Sequence, residues 1–230
     1  MPQVAFSFGK IEPHLVVLPL FGATKGGLPQ EFLGTGFIAG SQRRLITAHH
    51  VVKDWEGPLV AVLTPQNHPI RLSEVRHDDD LDLAVFDFQR YAPTSWFILA
   101  EDRELHENYH VVCPEYGTTR KIGGEIEISM ATRVGNITRR FDKHHFLGKA
   151  GEGALELSFP ALRGASGAPV LSSQDMKVWG MLTANVAYHL IPAQIETIVD
   201  SDTHVAEQVQ FMLPQALAIH VKHLRAMLAE

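Results

Sequence analysis

Short apolar runs separated by turn-forming residues recur through the first 185 residues of this 230-residue chain. The clearest runs are residues 14–20 (HLVVLPL), 32–39 (FLGTGFIA), 59–63 (LVAVL), 83–88 (LAVFDF) and 178–184 (VWGMLTA). Each is the length of one strand and is rich in Val, Ile, Leu and Phe, while Pro and Gly stand between the runs. This pattern is typical of antiparallel β-barrels or β-sandwiches.

The last part of the chain follows a different period. After Pro214, a helical spacing places four apolar residues on one stripe: Leu217, Val221, Leu224 and Leu228. We therefore expect a terminal helix over residues 214–229, and a surface loop over the polar, acidic residues 194–210. No Ser/Gly-rich or Pro-rich linker divides the chain, so a single domain over residues 1–230 is expected.

Net charge and cysteine content indicate which partners and which cellular compartment to expect. The formal net charge is -6, which gives no basic footprint and argues against nucleic acid as a partner. The one cysteine, Cys113, cannot form an intrachain disulfide, which favours a reducing compartment. Because the N-terminus lacks a signal-peptide pattern and no apolar stretch approaches the ~20 residues that span a bilayer, we expect a cytoplasmic protein without a membrane partner.

Three segments carry residues suited to acyl transfer. In residues 162–171 (LRGASGAPVL), small residues flank Ser166, so the backbone can turn sharply and expose the hydroxyl. The amides of Gly164 and Ser166 could then form an oxyanion hole. An ordinary Ser/Gly turn before a strand is the alternative for this segment taken alone.

A serine hydroxyl needs a neighbouring base, because it is almost wholly protonated at neutral pH. His50 follows the apolar residues 45–48 (LITA), where packing would hold it, although a histidine in such a place can also be a satisfied core residue. Asp82 lies between Leu81 and Leu83 and is drawn toward the core, where a histidine N–H would be a natural partner. A solvated turn of four aspartates is the alternative.

In combination, these segments resemble the trypsin-like serine peptidases, particularly the disulfide-poor bacterial type related to the HtrA proteases. The motifs that carry the resemblance are, in order, residues 34–37 (GTGF), 47–50 (TAHH), 82–84 (DLA) and 164–169 (GASGAP). The resemblance implies an all-β fold of two antiparallel six-stranded barrels, about 10–95 and 105–213, followed by the terminal helix. It further implies a serine endopeptidase with Ser166 as nucleophile, His50 as general base and Asp82 as the carboxylate that orients it.

The resemblance also implies where substrate binds. Polypeptide would lie along residues 180–185, and the pocket for the residue before the scissile bond would be lined by Pro160, Ala161, Leu162, Arg163, Thr183, Ala184 and Asn185. No acidic residue lies at the pocket base in this alignment, so a small or medium apolar side chain is expected there rather than Lys or Arg. Three positions depart from the family pattern. His49 takes the place of a small residue, and Ala168 replaces a common glycine. Ala165 stands where the family often has an acidic or amide side chain, so a switch through a buried N-terminal salt bridge is not expected.

Other interpretations remain open from the sequence. A protease-like binding module would keep the fold without the chemistry, and an esterase would share the triad but normally has Gly-x-Ser-x-Gly between a strand and a helix. The thirteen histidines show no recognisable metal-ligand spacing, so we expect no metal and no cofactor. The expected partner is a polypeptide substrate, and the resemblance leaves room for a regulatory protein partner.

Overall fold

Twelve strands close into two antiparallel barrels in the computed structural model, which describes residues 12–101, 106–141, 153–189, 193–200, 203–209 and 212–229. The strands of the first barrel are β1 (Val17–Ala23), β2 (Pro29–Ala39), β3 (Arg44–Ala48), β4 (Leu59–Leu63), β5 (His68–Asp78) and β6 (Leu83–Phe88). They are ordered β1-β2-β3-β6-β5-β4 around the barrel. Strands β4 and β6 have the bounds that their apolar runs indicate.

The second half of the described chain contains the other barrel and two separate hairpins. Its strands are β7 (His110–Glu115), β8 (Arg120–Ile122), β9 (Glu125–Glu127), β10 (Ala131–Arg140), β11 (Leu155–Leu157), β12 (Pro169–Ser172), β13 (Val178–His189), β14 (Ala193–Asp200), β15 (Thr203–Val209) and β16 (Met212–His220). The barrel order is β10-β11-β16-β13-β12-β7, while β8 pairs with β9 and β14 pairs with β15. The two-barrel fold expected from the sequence is therefore present.

Helical segments are short. They are α1 (Pro13–Val16), α2 (His49–Val52), a 3₁₀ turn (Thr64–Gln66) and α3 (Val221–Leu228). In the part of the chain that the structure describes, no helix is long and apolar enough to cross a membrane.

Two expectations for the C-terminal third are wrong. The terminal helix begins at Val221, not at Pro214, because residues 212–220 form β16 and pair with both β11 and β13 to complete the barrel. Leu217 is buried in that strand, whereas Leu224 and Leu228 do lie on the buried side of α3. Residues 194–200 and 203–209, which were expected to lie in a surface loop, instead pair with each other as strands β14 and β15.

Strand β1 is buried along its whole length because both of its faces are covered. Leu18 faces the largest apolar cluster, while Phe21 lies in a second cluster against which Ile126 and Ile128 pack. Burial on both faces explains why this strand reads as a continuous apolar run without alternation.

The largest apolar cluster is shared by the two barrels. It contains Phe37 and Phe86 from the first barrel, Tyr116 and Met181 from the second, and Leu224 from α3. Helix α3 therefore contributes to the core that the two barrels share.

Candidate active site

A cavity of about 660 Å³ opens between the two barrels. Phe32 and His50 line it from the first barrel, and Gly117, Arg163 and Ser166 line it from the second. Two of the three residues predicted to carry the chemistry, His50 and Ser166, thus share one cavity.

Strand pairing in the first barrel brings His50 to Asp82. Strands β3 and β6 pair antiparallel with Ala48 opposite Leu83, so the residue after β3 and the residue before β6 are neighbours. Asp82 has a φ of +50°, a left-handed conformation that short polar residues tolerate, and its carboxylate faces α2. Its Oδ1 accepts the His50 backbone N–H at 2.8 Å, and its Oδ2 lies 2.7 Å from His50 Nδ1.

A β-bulge supplies a further partner for this carboxylate. The pairing of β13 with β16 shifts register between Leu182 and Ala184, and bulges of this kind re-aim the side chain they contain. At the shift, the Thr183 hydroxyl donates to Asp82 Oδ2. Burial alone would raise the pKa of Asp82, but the hydrogen bonds from His50 and Thr183 outweigh it and hold the pKa below its usual value. Asp82 is therefore ionised at neutral pH.

Ser166 lies in a tight turn between two glycines that no other residue could replace without strain. Gly164 has a φ of +91° and Gly167 a φ of +85°. A side chain at Gly167 would collide with the Thr35 carbonyl and the Thr47 hydroxyl, so the turn packs directly on the first barrel. The Ser166 hydroxyl donates to the Thr183 carbonyl at 3.3 Å and, among the described residues, makes no hydrogen bond to His50.

The turn leaves two amides available. The Ala165 N–H donates to the Leu162 carbonyl and the Gly167 N–H to the Leu182 carbonyl. Within the described ranges, no protein acceptor is bound by the N–H of Gly164 or of Ser166. These are the two amides predicted to form an oxyanion hole.

Two residues that sequence reasoning missed support this turn. The Thr35 hydroxyl accepts the Tyr116 N–H at 3.1 Å and donates to the Gly164 carbonyl at 2.8 Å. The fully buried Glu115 accepts the Gly117 N–H and lies 3.1 Å from Arg133 Nε. The sequence carries one signal for Glu115, an acidic residue within the apolar stretch 111–116 (VVCPEY), whereas nothing local distinguishes Thr35.

His49, the other histidine of the doublet, points elsewhere. It is buried, its Nδ1 lies 2.9 Å from Asp79, and its ring stacks on His77 at 4.3 Å between ring centres. His77 in turn lies 2.5 Å from Glu74, and this hydrogen bond raises its pKa. No set of three or more potential ligand side chains is arranged to hold a metal ion within the described residues.

The residues predicted to line a substrate pocket lie on the two segments that flank Ser166. Arg163 lines the cavity described above, whereas the other six, all in the described part of the chain, are not among its lining. They are Pro160, Ala161, Leu162, Thr183, Ala184 and Asn185. The Asn185 side chain bonds twice to Ala161, accepting its N–H at 2.7 Å and donating to its carbonyl at 2.8 Å.

Comparison with known proteins places this geometry in context. The family model of the trypsin-like peptidase domain matches residues 34–181. No curated protein matches the chain. Many solved structures do.

Three solved structures illustrate the likeness, and each covers 94% of this chain. The HtrA-type protease AlgW with a decapeptide has a TM-score of 0.63 at 14% identity, and AlgW with a tripeptide has 0.65 at 15%. An inactive form of Rv3671c from M. tuberculosis H37Rv has 0.59 at 16% identity, with 86% of its chain covered. This chain spans only 64% and 60% of the two AlgW chains.

Proposed function

Because the chain belongs to the family of trypsin-like peptidase domains, we propose that it is a serine endopeptidase that cleaves polypeptides through Ser166, His50 and Asp82. The observation that carries the proposal is the 2.7 Å contact between His50 Nδ1 and Asp82 Oδ2, at the wall of the cavity that also holds Ser166. A charged carboxylate at this distance fixes the tautomer and orientation of the imidazole.

The chemistry begins with rotation of the Ser166 hydroxyl away from the Thr183 carbonyl. His50 takes the hydroxyl proton as Ser166 Oγ attacks the peptide carbonyl carbon, and the oxygen of the tetrahedral intermediate accepts the Gly164 and Ser166 amides. The C–N bond then breaks, and His50 gives the proton to the leaving amine. Water, activated by the same imidazole, hydrolyses the acyl-enzyme, while Asp82 stabilises each imidazolium that forms.

The open edge of β13 supports an extended polypeptide as substrate. Strand β12 pairs with β13 as far as Met181, and Leu182 still exchanges backbone hydrogen bonds with Gly167 and Ala168. Beyond Leu182, only the side of β13 that faces β16 is paired in the described strands. A peptide that adds to the free edge would gain backbone hydrogen bonds beside Ser166. The AlgW structures, which are solved with a decapeptide and a tripeptide, agree with binding of this kind.

A binding module without catalysis is the second candidate, favoured by the hydrogen bond from Ser166 to the Thr183 carbonyl. That bond is weak evidence, because catalytic hydrogen bonds are often loose in structures without substrate. Reaction with a fluorophosphonate probe separates the two functions, since only an activated serine is labelled.

The decisive comparison is wild type against Ser166→Ala, with Ser173→Ala as the control in a turn outside the cavity. We expect wild type and Ser173→Ala to be labelled and to cleave a mixed peptide library, and Ser166→Ala to do neither. An unlabelled wild type would favour the binding module, and cleavage by Ser166→Ala would eliminate the proposed nucleophile.

The single cysteine of the sequence, Cys113, is informative about the identity of the nucleophile and about the cellular compartment. Cys113 is fully buried, and burial raises the pKa of its thiol well above the usual value, so it does not compete with Ser166 as a nucleophile. We also infer a reducing, cytoplasmic setting from the absence of a second cysteine in the sequence. Cell fractionation with an antibody against the protein tests this location.

A further inference from the structure

We infer that Asn185 closes the pocket for the residue before the scissile bond, so that the enzyme cleaves after small side chains such as alanine. The inference rests on the proposed endopeptidase function and specifies its substrate class. Its basis is the pair of hydrogen bonds between the Asn185 side chain and the backbone of Ala161.

The position of that residue follows from the groups that hold its carbonyl. The carbonyl carbon must meet Ser166 Oγ, and its oxygen must reach the Gly164 and Ser166 amides. A chain that also pairs with the free edge of β13 passes beside Thr183, whose carbonyl already contacts the Ser166 hydroxyl. The side chain before the scissile bond therefore enters the gap between residues 160–163 and residues 183–185.

Asn185 spans this gap. Its Oδ1 lies 2.7 Å from the Ala161 nitrogen and its Nδ2 lies 2.8 Å from the Ala161 oxygen. Both polar atoms of the carboxamide are used, and the reversed amide orientation would set donor against donor, so the orientation is unambiguous. The two bonds hold the segment before Ser166 to the strand that binds substrate.

Closure of the gap agrees with the shape of the cleft. The cavity at Ser166 extends toward Glu31, Trp55 and Thr119, and within the described residues it does not include Ala161 or Asn185 in its lining. A long side chain would have to displace the carboxamide and break both hydrogen bonds. A methyl group would not, so the expected order of preference is alanine over leucine and phenylalanine.

Charge adds a second restriction. None of the six residues that flank the gap, Pro160, Ala161, Leu162, Thr183, Ala184 and Asn185, is ionisable, and the next residue, Arg163, is cationic. A lysine or arginine side chain would therefore find no carboxylate on these segments and would lie near a like charge. The structure thus assigns both size and charge selection to this gap.

The test uses a set of peptides that differ only in the residue before the scissile bond: alanine, leucine, phenylalanine or lysine. For wild type, we expect kcat/KM for alanine to exceed that for each of the others by at least tenfold. For Asn185→Gly and Asn185→Ala, the alanine-to-phenylalanine ratio should fall at least tenfold. Gln89→Ala removes an exposed carboxamide of the first barrel and should leave the ratio unchanged.

The outcomes separate this inference from the proposed function. The inference is overturned if wild type cleaves equally well after alanine and after phenylalanine. It is also overturned if both Asn185 variants keep the wild-type alanine-to-phenylalanine ratio, whether their activity is unchanged or falls equally for all four peptides. A wild type without a preference for alanine overturns the inference even if a variant fails to fold. If wild type shows no cleavage that depends on Ser166, the proposed function itself is overturned, and the inference with it.

Discussion

The Thr35 hydroxyl donates to the Gly164 carbonyl oxygen across 2.8 Å and so joins β2 of the first barrel to the turn that carries Ser166. The same hydroxyl accepts the Tyr116 N–H. One oxygen atom therefore connects three segments of chain that are distant in sequence, and it helps to position the turn that carries Ser166.

Replacing Thr35 by valine keeps the shape of the side chain and removes both hydrogen bonds. Since a neutral hydrogen bond contributes about 1 kcal/mol, we expect kcat to fall about tenfold while KM changes little. Thr35→Ser retains the hydroxyl and should restore most of the rate. Steady-state kinetics and the rate of fluorophosphonate labelling measure the effect, and an unchanged kcat in Thr35→Val would contradict this role.

Asp82→Asn removes the negative charge beside His50. In enzymes with this triad, the equivalent change lowers kcat by a factor of about 10⁴, because the imidazole adopts the wrong tautomer and its cation is not stabilised. We expect a loss of this order with KM nearly unchanged. A loss smaller than about tenfold would show that Asp82 does not orient the base.

The lowered pKa of Asp82 also makes stability depend on pH. A carboxyl group whose pKa is lower in the folded than in the unfolded state stabilises the fold fully above its unfolded pKa, 3.8 here. That contribution is lost as the pH falls through the folded value. Urea unfolding should therefore show wild type more stable than Asp82→Asn at pH 7, with the difference shrinking between pH 4 and the lowest pH at which the protein folds.

The control for acid stability is Asp87→Asn, which removes an exposed carboxylate paired with Arg44. Exposed ion pairs contribute little, so this variant should stay close to wild type at both pH values. A gap between wild type and Asp82→Asn that is independent of pH would argue against a charged, hydrogen-bonded Asp82.

Glu115 is the most deeply buried acidic residue in the part of the chain that the structure describes. Its carboxylate is fully buried and holds both the Gly117 N–H and Arg133, so Glu115→Ala should cost about 3–5 kcal/mol of unfolding free energy. Glu127→Ala breaks the exposed pair with Arg120 and should cost less than about 1 kcal/mol. Urea denaturation distinguishes the two, and equal losses would refute the difference drawn from burial.

The core shared by the barrels predicts that they unfold together as one domain. Trp179 reports on the second barrel, while Trp55 and Trp96 report on the first and on the segment that follows it. Trp179→Phe keeps the two tryptophans of the first half, and the double variant Trp55→Phe/Trp96→Phe keeps only Trp179. The urea midpoint measured by fluorescence should be the same in the two variants, once the midpoint measured by circular dichroism has been used to correct for each variant's own stability. Separate midpoints would indicate two independently folding units.

Local sequence predicted the first barrel better than the end of the second. Strands β4 and β6 follow clean apolar runs between turn residues, whereas residues 212–220 match both a helix and a buried strand. Ala216, Leu217, Ala218 and Ile219 are all buried, and a short continuous apolar run does not distinguish the two structures by its period. Pairing with β11 and β13, a tertiary effect, decided in favour of the strand.

The residues of the candidate site also fall into two groups, those that the sequence predicted and those whose contacts it did not. The segments around His50, Asp82 and Ser166 contain recognisable sequence motifs. In the structure, His50 contacts Asp82, and His50 and Ser166 line one cavity. Sequence reasoning missed Thr35, and it named Asn185 as a pocket residue without its two bonds to Ala161. Neither set of contacts is visible locally, because the partners lie 129 and 24 positions away.

The adjacent imidazoles at 49 and 50 face different carboxylates, one at the exposed Asp79 just after β5 and the other at Asp82 beside the cleft. A one-residue slip of β3 against β6 would move both imidazoles relative to Asp82 without changing any residue of the site. The alignment of two strands therefore decides which histidine meets Asp82, so an insertion or deletion in residues 44–48 should abolish the proposed activity without altering His50, Asp82 or Ser166.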